Sequence, residues 1–173
     1  MKVFVSAVSS EFGTVRARIA SDLRARGLTV KFQEDFTQRG GATTTLQALH
    51  NYIEECETVI CIVGSQHGAC PPAVAAAPFK GLLPNGIETA SYTHWELFFA
   101  LQFKKRLSLH IAQPDYLPEK ASVGNEDPGL QSAFVRHIKG QGLNREYFAG
   151  PFQSIRQSYR MNHPGKCRPT PLP

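Results

Sequence analysis

The stretch Ser91-Tyr92-Thr93-His94-Trp95-Glu96-Leu97 sets one carboxylate at the start of an apolar helical pattern, with one aromatic residue beside it and another four positions earlier. Two kinds of work suit a carboxylate there. Thr93-x-x-Glu96 has capping-box spacing, in which Glu96 would accept the backbone N–H of the cap residue. Placed instead where a ligand binds, the same carboxylate would be a reagent. Tyr92 lies one turn earlier on the same face, where an aromatic residue more often packs in the core or its rim than against a ligand. Other chemistries find less support. The cysteines Cys56, Cys61, Cys70 and Cys167 show no CxxC spacing, and the histidines pair neither with them at metal-ligand intervals nor with a nucleophile, so no metal is expected. Gly40-Gly41 follows a strand without the spacing of a phosphate-binding loop.

The elements that must position Glu96 alternate along the chain. Val3-Phe4-Val5 opens as an apolar strand, Ser6 to Ser10 reads as a polar loop, and Val15, Ile19 and Leu23 mark a helix stopped by Gly27. Leu28 to Phe32 alternates as a second strand, residues 33 to 45 read as a loop, and Leu46, Leu49 and Ile53 share a helical face. Thr58 to Val63 is β-branched and nearly uninterrupted, as in a strand buried on both faces. Residues 69 to 90 carry four prolines and Ala75-Ala76-Ala77, which predicts a long loop. A helix from about Thr93 to Lys104 and a strand from Leu107 to Ile111 follow. Beyond the polar stretch from Gln113 to Pro128 come a helix through Leu130, Phe134 and Ile138, a short edge strand at Glu146-Tyr147-Phe148, and a last helix through Phe152, Ile155 and Tyr159. Five strands alternating with helices predict an α/β, doubly wound parallel sheet in the flavodoxin-like order 2-1-3-4-5. Ligands bind such sheets beyond the carboxyl ends of the strands, where the strand order reverses. Ser6 and Gly64-Ser65 flank that point, and the helix carrying Glu96 follows the third strand.

A length of 173 residues with 42% hydrophobic content suits one domain, expected over residues 1–161, with a proline-rich tail or linker over 162–173. The opening residues lack a signal-peptide pattern and no apolar run is long enough to span a bilayer, so the expected localisation is cytoplasmic, without membrane association. The net charge of +5 is concentrated late: residues 1 to 103 carry 8 basic and 9 acidic side chains, residues 104 to 173 carry 11 and 5. No basic run interleaves with aromatics, which argues against a nucleic-acid partner.

Taken in order, Val3-Phe4-Val5-Ser6, Phe32-Gln33-Glu34-Asp35-Phe36 with Gly40-Gly41, and Ile53 through Gly64 resemble the opening strand, the second strand with its following loop, and the helix–strand unit of a Toll/interleukin-1 receptor (TIR) domain. The chain resembles above all the bacterial TIR-like domains of defence proteins, over residues 2 to about 160. That family's motif of an aromatic residue four positions before a glutamate is matched by Tyr92 and Glu96. The resemblance implies an NAD+ nucleosidase in antiphage or innate immune signalling. Glu96 would be the catalytic carboxylate, Phe4, Ser6, Phe36, Tyr92 and Trp95 would bind substrate, and NAD+ would be a substrate with no other cofactor. It also implies self-association through TIR–TIR contacts and a C-terminal sensor domain as a partner in a longer protein. The family's tyrosine and arginine after the opening serine are replaced here by Ala7-Val8. Two alternatives stand beside this reading: a TIR interaction or assembly module without turnover, and a nucleoside deoxyribosyltransferase-like enzyme, which shares the sheet and a glutamate.

Overall fold

The computed structural model describes residues 1–32, 35, 41–118 and 127–149. Five strands form one parallel sheet in the order β2-β1-β3-β4-β5: β1 (Lys2–Ala7), β2 (Thr29–Lys31), β3 (Thr58–Val63), β4 (Arg106–Ala112) and β5 (Arg145–Phe148). This is the α/β order expected from the alternating elements. Every residue of β3 is buried, as the β-branched run requires.

Side chains alternate across a strand with period two, so each central strand feeds two cores. Val3, Val5 and Ala7 of β1 and Ile60 and Ile62 of β3 meet Phe12, Val15, Ala20 and Leu23 of α1 (Ser9–Arg24) on one face. Phe4, Val59, Cys61 and Val63 point the other way. There they meet Leu46, Leu49 and Ile53 of α2 (Gly41–Glu55) and the apolar residues of α4 (Tyr92–Gln102). Helix α4 is buried continuously from His94 to Ala100, the behaviour of a helix that is apolar nearly all round. Its short companions are α3 (Ala73–Ala76) and a 3₁₀ turn (Ala77–Leu82); α5 (Pro128–Gly140) brings Phe134 and Ile138 to the α4 side.

Several boundaries differ from the sequence reading. The polar loop expected at Ser6 to Ser10 contracts to Val8, because β1 runs through Ala7 and α1 begins at Ser9. Helix α2 starts at Gly41, inside the stretch expected to be loop. The segment from 69 to 90 is partly helical, and Phe79, Ile87 and Ala90 are buried against the α4 core, so it is packed structure. Gly27 lies at φ +77°, which lets the chain reverse between α1 and β2 where a side chain would be strained. The expected last helix through Phe152, Ile155 and Tyr159 and the tail from 162 lie outside the described residues. Among the described residues, no helix is long and apolar enough to cross a membrane.

Leu49 is fully buried between α2 and the sheet. Leu49→Ala is expected to cost about 2–5 kcal/mol through lost burial and an unfilled cavity, read as a lower urea midpoint with an unchanged slope.

Candidate functional site

Strand order reverses between β1 and β3: the chain leaves β1 toward β2 on one side and leaves β3 toward β4 on the other. Beyond their carboxyl ends the crossovers diverge and open a crevice. The parallel register pairs Ser6 with Cys61, two residues that share the α4 face with Phe4 and Val59. Over this corner lies the first turn of α4. Ser6 Oγ donates a hydrogen bond of 2.5 Å to Glu96 Oε2, joining residues 90 positions apart, and both side chains are buried. Cys61 lies within the same cluster. Burial pushes its thiol pKa well up, the Glu96 carboxylate pushes it further, and the hydrogen bond with Ser6 acts the other way; Cys61 therefore stays a neutral thiol at this site.

Helix α4 is capped two residues earlier than the Thr93–Glu96 spacing predicts. Ser91 is the N-cap: its side chain accepts from the His94 N–H, and His94 Nδ1 accepts from the Ser91 N–H at 3.4 Å. The reciprocal box is thus Ser91 with His94, and Glu96 takes no part in it. The reason is geometric. With Ser91 as the cap, Glu96 is the fifth residue of the helix, two positions beyond the one that reaches back to the cap, and its side chain meets β1 through Ser6.

The other expected site residues fall in different places. Tyr92 is half-buried at the first turn of α4, packed on the α4 core, and partial burial raises its phenol pKa. Trp95, expected as a wall of the pocket, is a core residue instead: it is 1% exposed and packs against Phe79, Phe98 and Phe99. Phe4, also expected to touch substrate, is fully buried beneath Ser6 and packs against Tyr52. Its position in the middle of a doubly covered strand leaves it no open face. Phe36 lies outside the described residues.

Three features of the crevice were not visible in the sequence. Glu11, fully buried in the first turn of α1, accepts from the Ser65 N–H at 2.7 Å, the Ser65 hydroxyl at 2.8 Å and the Gln66 N–H at 2.9 Å. A Cβ added at Gly64 would stand 2.3 Å from this carboxylate, so glycine is what lets α1 close on the end of β3. Behind Glu11, Arg16 anchors α1 by donating to the Ala7 carbonyl at 2.8 Å.

The second feature is a buried relay from α4 to α5. His94 Nε2 donates to Gln131 Oε1 at 2.8 Å, and Gln131 Nε2 donates to the Gly64 carbonyl at 2.6 Å. The imidazole lies flat on Phe134, with ring centroids 3.8 Å apart. Burial lowers the His94 pKa to about 4, against a smaller raising effect of Gln131. The ring is therefore neutral at pH 7 with its proton on Nε2. The third feature is a small cavity of about 10 Å³ between these elements, room for about one water; Ser6, Gln66, Thr93, His94, Gln131 and Phe134 are among its lining residues. Spacing alone could have flagged only the capping half of His94, since every other partner comes from a distant element. Among the described residues no group of three or more metal-ligating side chains comes together.

The family described as Domain of unknown function (DUF4062) matches residues 2–155. Among solved structures, a "2-desoxiribosyltransferase from Leishmania mexicana" is similar with a TM-score of 0.50 and 13% identity, covering 94% of this chain and 97% of that one. At that identity the likeness is one of fold. No curated protein matches the chain. These findings overturn the expected membership of the TIR family, which no match supports. The NAD+ nucleosidase, antiphage and immune-signalling expectations rested on that resemblance and fall with it. A short strand ending in serine and a glutamate four residues after an aromatic are features that unrelated α/β folds place at the same corner.

Two outcomes follow from the buried groups. Glu11→Ala strips the buried Gln66 N–H and the part-buried Ser65 N–H of their acceptor and is expected to cost roughly 1–3 kcal/mol in chemical denaturation. The neutral His94 binds its proton only below about pH 4 when folded, but near pH 6.5 when unfolded. Its stabilising contribution is therefore complete above pH 6.5 and is lost as pH falls toward 4, by about 3 kcal/mol in all. His110, whose pKa burial also lowers, adds in the same direction. Denaturation midpoints at pH 7 and pH 4.5 should show this drop, and His94→Gln should flatten it.

Proposed function

The chain belongs to the family described as Domain of unknown function (DUF4062), and from that premise we propose that it is an enzyme that breaks the N-glycosidic bond of nucleosides or nucleotides, with Glu96 as the reacting carboxylate. The observation that carries this reading is the Glu96 side chain, brought to the switch point of a 2-1-3-4-5 sheet and held there by the Ser6 hydroxyl. Its capping role has been taken over by His94, and a carboxylate removed from water needs a reason to be retained.

The chemistry follows from the group. A carboxylate oxygen adds to C1′ of the sugar as the C–N bond breaks, and the base departs with the bonding pair and takes up a proton. The glycosyl ester then passes its sugar to water or to a second base, regenerating the carboxylate. The hydrogen bond from Ser6 holds the carboxylate in one orientation, so that attack starts from a preset geometry. Cys61, neutral and packed beside the pair, adds no competing charge. Support comes also from the fold: the similar solved structure is by its name a transferase of deoxyribosyl groups.

The test is release of free base from a panel of 2′-deoxynucleosides, ribonucleosides and their monophosphates, with and without a second base as acceptor. Turnover is expected on at least one substrate. Glu96→Gln should lower kcat by about a thousandfold or more and Ser6→Ala by about ten- to a hundredfold, both with near-wild-type circular dichroism. Full activity in Glu96→Gln, or no base release and no base exchange from any substrate, would overturn the assignment.

A further inference from the structure

The small cavity beside the Ser6–Glu96 pair has room for about one water, and the polar side chains that line it have bonding capacity left over in a definite pattern. Gln131 is oriented at both ends. Its Oε1 accepts from His94 Nε2, because the imidazole is neutral and its Nδ1 accepts from the Ser91 N–H, and its Nε2 donates to the Gly64 carbonyl. One amide N–H remains. Thr93 is fixed by the same accounting. Its single proton goes to the His67 carbonyl at 2.9 Å, a group that can only accept, so in the 3.0 Å contact with Ser91 the Thr93 oxygen is the acceptor. One lone pair remains on that oxygen. Ser6 spends its only proton on Glu96 and, even with the Cys61 thiol beside it, keeps a lone pair as well.

We infer that this cavity is the site of one resident water, which accepts from Gln131 and donates to Thr93 and Ser6, and that Gln131 and Thr93 position the Glu96 carboxylate through it. Three bonds are the usual complement of a buried water, and one donor with two acceptors is a set that a single water satisfies. Apolar filling of the same space would leave those groups unmet, which is costly away from bulk solvent. The consequence lies at Ser6. A hydroxyl that accepts one hydrogen bond while donating another is polarised by it, so the water strengthens and orients the bond from Ser6 to Glu96. Through the water, the relay of His94 and Gln131 also reaches Ser6, and the starts of α4 and α5 and the end of β1 bear on one carboxylate. The positioning role rests on the glycosidic-bond reading, whereas the water site does not.

A crystal structure of the full chain that shows ordered waters tests the site directly. One water oxygen is expected within hydrogen-bond distance of Gln131 Nε2, Thr93 Oγ1 and Ser6 Oγ. Thr93→Val keeps the shape and removes the lone pair; kcat for base release should fall roughly three- to tenfold, the worth of one modest hydrogen bond, with KM within about twofold of wild type. Thr93→Ser returns the hydroxyl and should recover most of that loss. Gln131→Leu should lower kcat in the same way, and the two Thr93 variants carry the test if it fails to fold. A cavity without water, or a water that touches neither Gln131 nor Ser6, would overturn the site. An ordered water together with unchanged kcat in Thr93→Val would overturn the positioning role. A water in place but no base release by the wild-type protein from any substrate would remove the catalytic reading and the positioning role together and leave the water site standing, so the failures are told apart.

Discussion

A carboxylate taken out of water must be met by donors, and the carboxyl end of this sheet is organised around two that are. Glu11 closes α1 onto the end of β3 through three hydrogen bonds from Ser65 and Gln66. Glu96 closes α4 onto the end of β1 through Ser6. Each contact spans more than fifty residues, and each requires a small neighbour. Gly64 leaves the space that Glu11 fills, and Ser6 is short enough to sit under α4 while still donating. Moving either carboxylate would uncouple a helix from the sheet at the place where parallel α/β folds hold their ligands.

The register of α4 decides what Glu96 can do. Because Ser91 and His94 satisfy each other's backbone groups, the helix start is complete without Glu96. The same His94 then reaches across to Gln131 with its other nitrogen, and Gln131 to Gly64. One histidine thus caps α4, ties α5 to it and fixes an amide in the cavity wall. Its burial as a neutral ring, stacked on Phe134, makes that chain of bonds unambiguous in direction. Trp95, the most conspicuous residue of the motif, contributes to packing alone.

The TIR resemblance failed for a physical reason. A central strand of small and apolar residues, a polar residue at its carboxyl end and an acidic residue on a following helix are what any 2-1-3-4-5 sheet needs in order to present a carboxylate at its switch point. Such features mark an architecture shared by many activities, and a few short matches at that corner do not separate one family from another. The departure at Ala7-Val8 was the informative part. In the structure Ala7 completes a buried strand and Val8 is the bend into α1, so neither position offers a polar group to a ligand.

The class of the fold and the order of its strands were legible in the sequence because hydrophobic periodicity is local. Val3-Phe4-Val5, Thr58 to Val63, and the helical spacing of Leu46, Leu49 and Ile53 each declare their element within a few residues. Glu96 and Ser6 were legible as candidates on the same footing, from position in the alternating pattern. The structure alone could decide that Glu96 meets Ser6 and that His94 takes the cap. It alone revealed that Trp95 and Phe4 belong to the core, and that Glu11 and Gln131 reach the crevice. Those outcomes depend on which face of a helix turns inward, and on contacts between residues 37 to 90 positions apart. Periodicity records how a segment folds on itself; the partners of a buried polar group are set by the packing of segments that share no local signal.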